Sequence, residues 1–232
     1  MSRQSTANKR KTGKEQYYTD ASAVDKCLSY LTEFIDFEDF VFLEPAGGTG
    51  EFIKGFQRNG IPDNNILSFD IEPKHELVRE ANFLEVSIDN GKKPLVCVTN
   101  PPFGRASSLA KKFFNHAADS CDYICFLVPK SWRKWSVMNS LDNRFHLVGD
   151  IEMDANCFYL PDGTKKAKSA LKTVFQVWKK KPHIERAKIK IPNHGLLKKI
   201  NKNKEGMIVG ANCSMVVFGY SCGRVTRLSG PT

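Results

Sequence analysis

Short runs rich in apolar residues alternate along this chain with stretches in which apolar residues recur every three or four positions. The runs, at residues 41–46, 66–71, 95–99, 122–128, 145–151 and 173–178, have the length and the Val, Ile, Leu and Phe content of buried strands. The recurring pattern predicts helices between them. Thr19 or Asp20 caps a first helix carrying Val24, Cys27, Leu28, Leu31 and Phe34, and a second, short helix ends at Asn59-Gly60. A third is expected from Pro73 to about residue 81, and a fourth over 106–118. Strands alternating with helices predict an α/β fold, a mostly parallel sheet covered on both faces. The last two runs flank a polar, lysine-rich stretch at 162–172, read as an exposed loop, and are expected to pair antiparallel. The pattern assigns no state to the apolar, glycine-containing residues 208–224.

Ligands of such sheets bind beyond the carboxyl ends of the strands, and the chain's polar punctuation collects there. The first run opens into Glu44-Pro45-Ala46-Gly47-Gly48-Thr49-Gly50, whose three glycines let the backbone turn tightly and approach a ligand closely. The spacing is neither the dinucleotide G-x-G-x-x-G nor a phosphate loop ending in Gly-Lys-Ser/Thr. Asp70 ends the second run. An acid there accepts two ribose hydroxyl hydrogens, or else serves as a cap or turn residue before Pro73. Asn82, beside Phe83 and Leu84, joins an amide able to read an adenine edge to apolar groups able to cover its face. The third run closes in Asn100-Pro101-Pro102-Phe103-Gly104, where two prolines fix the backbone and push Asn100 into an extended conformation. Proline nitrogens carry no hydrogen. The Asn100 side-chain oxygen and the Pro101 carbonyl can therefore both accept hydrogens from one NH2 group, with Phe103 placed to stack on a flat ring.

Composition narrows the setting. Hydrophobic residues at 41% and charged residues at 26% of 232 positions describe an ordinary soluble protein with one well-buried core. Seven cysteines, at 27, 97, 121, 125, 157, 213 and 222, are odd in number and lie mostly in apolar runs. They read as reduced core thiols of a cytoplasmic protein, or a nuclear one in a eukaryote. Neither they nor the five scattered histidines have metal-ligand spacing, so no metal is expected. No run approaches the ~18 apolar residues of a membrane span, and the polar, basic N-terminus lacks a signal-peptide core; no membrane partner is expected.

The formal net charge of +10 favours an acidic polymer, nucleic acid above all. Residues 1–14 hold Arg3, Lys9, Arg10, Lys11 and Lys14 without an acid and read as a disordered tail, solubilising or phosphate-contacting. Lys130, Trp132, Arg133 and Lys134 follow the fourth run, Lys165 and Lys166 lie in the 162–172 loop, and residues 179–204 carry ten basic side chains against one acid. Such segments are either solvated surface or contacts to a nucleic-acid backbone. The organisation expected is a tail at 1–14, a folded unit at 15–181 and a small basic extension at 182–232.

With Glu-Pro-Ala-Gly-Gly-Thr-Gly, then Asp70, then Asn-Pro-Pro-Phe in this order, the chain resembles the S-adenosylmethionine-dependent amino-methyltransferases. Within these it is most similar to the adenine-N6 branch that includes DNA methylases of bacteria and phages. The Val-Pro-Lys-Ser-Trp element at 128–132 and Phe-Gln-Val-Trp at 175–178 share in the resemblance. It implies a Rossmann-like class I methyltransferase fold, with a mostly parallel seven-stranded sheet and helices on both faces. It also implies S-adenosylmethionine as cofactor. Thr19 would meet the methionine carboxylate; Glu44, Ala46, Gly47, Gly48 and Gly50 would carry the methionine part. Asp70 and Ile71 would hold the ribose side, and Asn82 and Phe83 the adenine. Family members usually have an aspartate where Asn82 stands. Asn100, Pro101, Pro102 and Phe103 would form the catalytic corner. The substrate implied is DNA, with RNA, a protein glutamine amide and an inactive binding module as alternatives. DNA members normally carry a sizeable target-recognition domain, whereas about fifty residues follow Lys181 here. A protein partner supplying recognition is compatible with that length.

Overall fold

Three strands buried along nearly their whole length stand at the centre of the molecule: β2 (Val41–Glu44), β5 (Leu95–Thr99) and β6 (Tyr123–Pro129). Strands covered on both faces need apolar side chains on both faces, which is why these segments read as unbroken apolar runs. The computed structural model describes residues 18–89, 93–104, 107–154, 157–159 and 172–190, with two short strands within 213–227. Residues 1–14, Lys165, Lys166 and most of the 162–172 loop lie outside the described residues.

The sheet has seven strands in the order β4-β3-β2-β5-β6-β9-β7, adding β3 (Ile66–Asp70), β4 (Arg79–Glu80), β7 (Phe145–Glu152) and β9 (Thr173–Lys180). Neighbours from β4 to β6 are parallel, and β9 runs antiparallel between β6 and β7. The expected antiparallel pair is therefore present. One expectation fails. No helix follows Pro73: the chain turns instead, and Arg79–Glu80 joins the sheet edge beside Phe69 and Asp70. Tertiary contacts override the local pattern here, because Lys74 N–H donates to the Gly48 carbonyl at 3.0 Å and Val78 is buried beneath Gly47.

Helices α1 (Ala21–Leu31) and α2 (Glu51–Arg58) cover one face. Asp20 caps α1 by accepting the Ser22 N–H at 3.0 Å, and Val24, Cys27, Leu28 and Leu31 form its buried stripe. α3 (Ser108–Ala117) covers the other face. Its Phe114 packs edge-on against Phe126, Phe145 and Trp178, with ring centroids 5.6–5.7 Å apart. A short α4 (Trp135–Met138) flanks this second core. A two-stranded ribbon, unforeseen in the apolar pattern, pairs β1 (Tyr18–Thr19) with β8 (Phe158–Tyr159).

Contacts divide the chain at residue 189, so that 182–189 belong to the first unit. Arg186 anchors that stretch, donating to the carbonyls of Phe145, Met138 and Leu141. In the second unit, Lys190–Thr232, β10 (Cys213–Met215) and β11 (Val225–Arg227) form an antiparallel pair.

Candidate functional site

The carboxyl ends of β2, β3 and β5 open onto a cavity of about 360 Å³. Its walls bring together Thr19, Glu44, Ala46, Gly47, Gly48, Asp70, Ile71, Asn82, Phe83, Asn100, Pro101, Pro102 and Phe103, which are scattered over more than eighty positions of sequence. Parallel strands end side by side, so turns distant in sequence share one rim.

The glycine turn is held from below. Gly47 N–H donates to the Phe69 carbonyl at 3.0 Å, and a Cβ on Gly47 would stand 2.4 Å from Ser68 Oγ and 2.8 Å from Val78 Cγ2. Asp70 then locks the turn, its Oδ2 accepting Gly48 N–H at 2.9 Å and its Oδ1 accepting Glu72 N–H at 2.8 Å. Each oxygen keeps a lone pair for a hydroxyl, so Asp70 serves as turn residue and stays competent for a ribose. Gly50 differs from its expected role. It does not line the cavity; it starts α2 at φ 78°, where a Cβ would run into the His75 ring at 2.4 Å.

Glu44 is the most buried acid in the site, 2% exposed at the end of β2. Its Oε1 accepts the Ala46 N–H at 3.0 Å and, at very short range, the hydroxyl of Thr99. Burial pushes its carboxyl up to about 8, and the nearby Asp70 adds to the rise against the lowering effect of the two hydrogen bonds. Thr99 immediately precedes Asn100, so this bond ties the glycine turn to the proline corner. Asn100 Oδ1 is withdrawn from solvent, Pro101 is buried, and Phe103 forms wall rather than open platform.

At the rim, Ile71 is 55% exposed beside Asp70, while Phe83 is buried against Phe113 and His116 at 5.2 and 4.8 Å. Asn82 lines the cavity with its amide engaged locally: Oδ1 accepts Leu84 N–H at 3.2 Å and Nδ2 donates to Glu85 at 2.6 Å. Tyr18 leans over Gly48, clasped by the Lys74 ammonium on its hydroxyl and by the Tyr159 ring at 5.9 Å. The wall also includes Leu109 and Phe113 of α3, one helical turn apart; their spacing just after the corner was the signal available in the sequence.

The basic turn after β6 differs from expectation. Trp132 is 0% exposed, packed on Phe114 and Phe126 at 6.2 and 6.0 Å, and cannot face a nucleic acid. Lys130 pairs with Glu152, and Arg133 with both Asp150 and Glu152. Four charges there neutralise one another. Lys134 stays exposed, and the open aromatic ring is Trp135, at 46%.

No model of a known protein family matches this sequence, and no curated protein matches it either. Among solved structures, the chain is similar to PH1948 of Pyrococcus horikoshii, provisionally described as an RNA methyltransferase, at 16% identity and TM-score 0.57 over 75% of this chain and 90% of that one. It is similar to the M protein of the type I restriction enzyme EcoKI, at 15% identity and TM-score 0.51 over 73% and 45%. A third likeness is to a modification subunit of a provisionally described type I restriction enzyme from Vibrio vulnificus YJ016, at 12% identity and TM-score 0.50 over 83% and 58%. The chain spans about half the length of these two subunits. Identities this low speak for fold. The strand order, with one antiparallel strand inserted next to the last edge, defines a Rossmann-like class I methyltransferase fold.

Proposed function

We propose that this protein is an S-adenosylmethionine-dependent N6-adenine methyltransferase acting on nucleic acid, with DNA as the first substrate to test. The observation that carries the reading is the sharing of one cavity wall by the glycine turn, Asp70 and the Asn100-Pro101-Pro102-Phe103 corner. Residues of those types fit the cofactor: an acid for ribose hydroxyls at Asp70, apolar cover from Ile71 and Phe83, and close backbone at Gly47 and Gly48. When bound, S-adenosylmethionine supplies an electrophilic methyl group.

The corner supplies orientation. The lone pair of an exocyclic adenine nitrogen is delocalised into the ring. Two acceptors, Asn100 Oδ1 and the Pro101 carbonyl, hold its hydrogens and favour a pyramidal nitrogen whose lone pair points at the methyl group. The prolines keep these acceptors fixed, and the buried Phe103 bounds the pocket beside them. No strong base is needed, because the nitrogen becomes acidic as the new bond forms. In a duplex the adenine must leave the stack to reach the corner.

The test is transfer of labelled methyl to matched DNA and RNA, each single- and double-stranded, with mass spectrometry of the nucleosides. N6-methyladenine in DNA is expected; its appearance in RNA alone would replace the polymer and keep the chemistry. Transfer only to a protein amide would overturn the nucleic-acid reading. Asn100→Ala should abolish transfer and leave cofactor binding within about threefold, and loss of binding instead would remove Asn100 from the acceptor role.

A further inference from the structure

Lys130 and Arg133 are neutralised by Asp150 and Glu152, but a second cavity carries positive charge that is not. It measures about 420 Å³, lies between the last turn of α3, the turn after α4 and residues 186–188, and shares no residue with the cavity at the strand ends. Asn115, Asn139, Asn143, Asp142, Arg186 and Lys188 line it. Two of the amides are clipped to backbone. Asn115 accepts the Asp142 N–H at 2.9 Å and donates to the Ser140 carbonyl at 3.1 Å, while Asn139 exchanges two bonds of 2.9 Å with Ile189. Each is thereby held in one orientation with an N–H left over. Arg186 is fixed in the same way, its Nε and Nη2 donating to the carbonyls of Phe145, Met138 and Leu141 and its plane lying 5.6 Å over the Trp178 ring. Among the described residues, its Nη1 has no hydrogen-bond partner, and no carboxylate pairs with Arg186 or Lys188. The acid on the wall, Asp142, is taken up by the Arg144 fork at 2.7 to 3.2 Å, and the neighbouring Glu185 is held on Asn143 Nδ2 at 2.8 Å. Two unmatched cations beside pre-oriented N–H donors make a seat for an anion.

Trp135 says which anion. The Asn139 N–H donates to the Trp135 carbonyl at 2.8 Å, so the two side chains lie one helical turn apart on the same side, about 6 Å along the axis. An open indole ring next to an anion seat matches a nucleotide, base on the ring and phosphate in the seat, rather than a free phosphate. We propose that this cavity is a second nucleic-acid contact of the protein, away from the methyl-transfer site. A backbone phosphate outside the target nucleotide enters the seat of Lys188, Arg186 Nη1 and the asparagine amides, and a neighbouring base stacks on Trp135. This rests on the nucleic-acid reading above. Contacts to a phosphate and to a ring face hold a strand without reading its sequence.

The test is the affinity of labelled short single-stranded DNA and RNA of matched sequence, by fluorescence anisotropy over a KCl series. Lys188 is exposed and has no hydrogen-bond partner among the described residues, so Lys188→Gln reports on the seat and not on the fold. It should weaken binding about three- to fivefold at low salt and flatten the slope of log Kd against log [KCl] by about 0.7, the share of one phosphate. Lys188→Arg should restore both. Lys26→Gln, on α1 across the sheet, changes the net charge equally and should leave both nearly unchanged. Trp135→Ala should weaken the DNA at least about fivefold and leave a base-free deoxyribose-phosphate oligomer unaffected. In proton–nitrogen correlation spectra, the side-chain NH2 signals of Asn139 and Asn143 should shift with either oligomer and not with inorganic phosphate at the same concentration. Shifts with inorganic phosphate alone would make the cavity a free-phosphate site and overturn the strand contact. Unchanged affinity and slope in Lys188→Gln, with DNA or RNA bound by the unaltered protein, would overturn the seat and leave the nucleic-acid reading intact. No binding of DNA or RNA by the unaltered protein would overturn both.

Discussion

Gly47→Ala is the substitution whose cost the structure states most directly. Gly47 has no left-handed backbone to protect, so the penalty is steric. The new methyl group would stand 2.4 Å from Ser68 Oγ, 2.8 Å from Val78 Cγ2 and 3.2 Å from Val78 Cγ1. Ser68 is buried and its hydroxyl donates to the Glu44 carbonyl at 3.0 Å, so rotating it away forfeits that bond. Overpacking costs about 1–3 kcal/mol, and the lost hydrogen bond adds about 1 kcal/mol. For a domain of this size, that lowers Tm by about 5–15 °C. Thermal unfolding followed by circular dichroism measures it, and cofactor affinity should fall in parallel because the turn lifts. Ser68→Ala in the Gly47→Ala background should cost less than Ser68→Ala alone, since it removes the nearest clash. A Tm within 1 °C of the unaltered protein, or additive effects in that cycle, would refute the packing argument.

Asp70→Ala should weaken S-adenosylmethionine at least tenfold by calorimetry; unchanged affinity would remove Asp70 from the ribose role and leave it a turn residue. Trp132→Ala should cost about 3–5 kcal/mol in urea unfolding and Trp135→Ala less than about 0.5 kcal/mol, and equal costs would contradict their opposite burial. Glu44 titrates higher in the folded chain than its ordinary 4.5, so its stabilising contribution is complete at low pH and is lost as pH rises toward about 8. The stability of the unaltered protein relative to Glu44→Gln should therefore fall by about 2–3 kcal/mol from pH 5.5 to pH 7.5, and a pH-independent difference would sink the assignment.

The apolar pattern located six of the seven sheet strands, because each is buried on one or both faces and had to be apolar. It missed β4: Arg79 and Glu80 are exposed, polar and short, with helix-forming neighbours, and only the parallel pairing with Phe69 and Asp70 makes them a strand. The β1–β8 ribbon was hidden for a similar reason, since its halves lie far apart in sequence and are two residues each. Among the basic residues, composition could not separate Lys134 from Lys130 and Arg133. Their difference lies in Asp150 and Glu152, which the sheet carries to them from β7.

The sequence by itself determined the alternation of strands and helices, the glycine turn and the proline corner, because these depend on local backbone freedom and on burial periodicity. Tertiary structure decided which side chains meet. Gly50 and Trp132 turned away from their expected roles, one into a helix start against His75 and the other into the aromatic core. Glu44 changed in the opposite sense. In the sequence it is the first letter of a turn, and it becomes a buried acid only because β2 and β5 lie side by side and set Thr99 against it. Burial and partnership across a sheet depend on register between distant segments, and that is fixed only when the whole sheet closes.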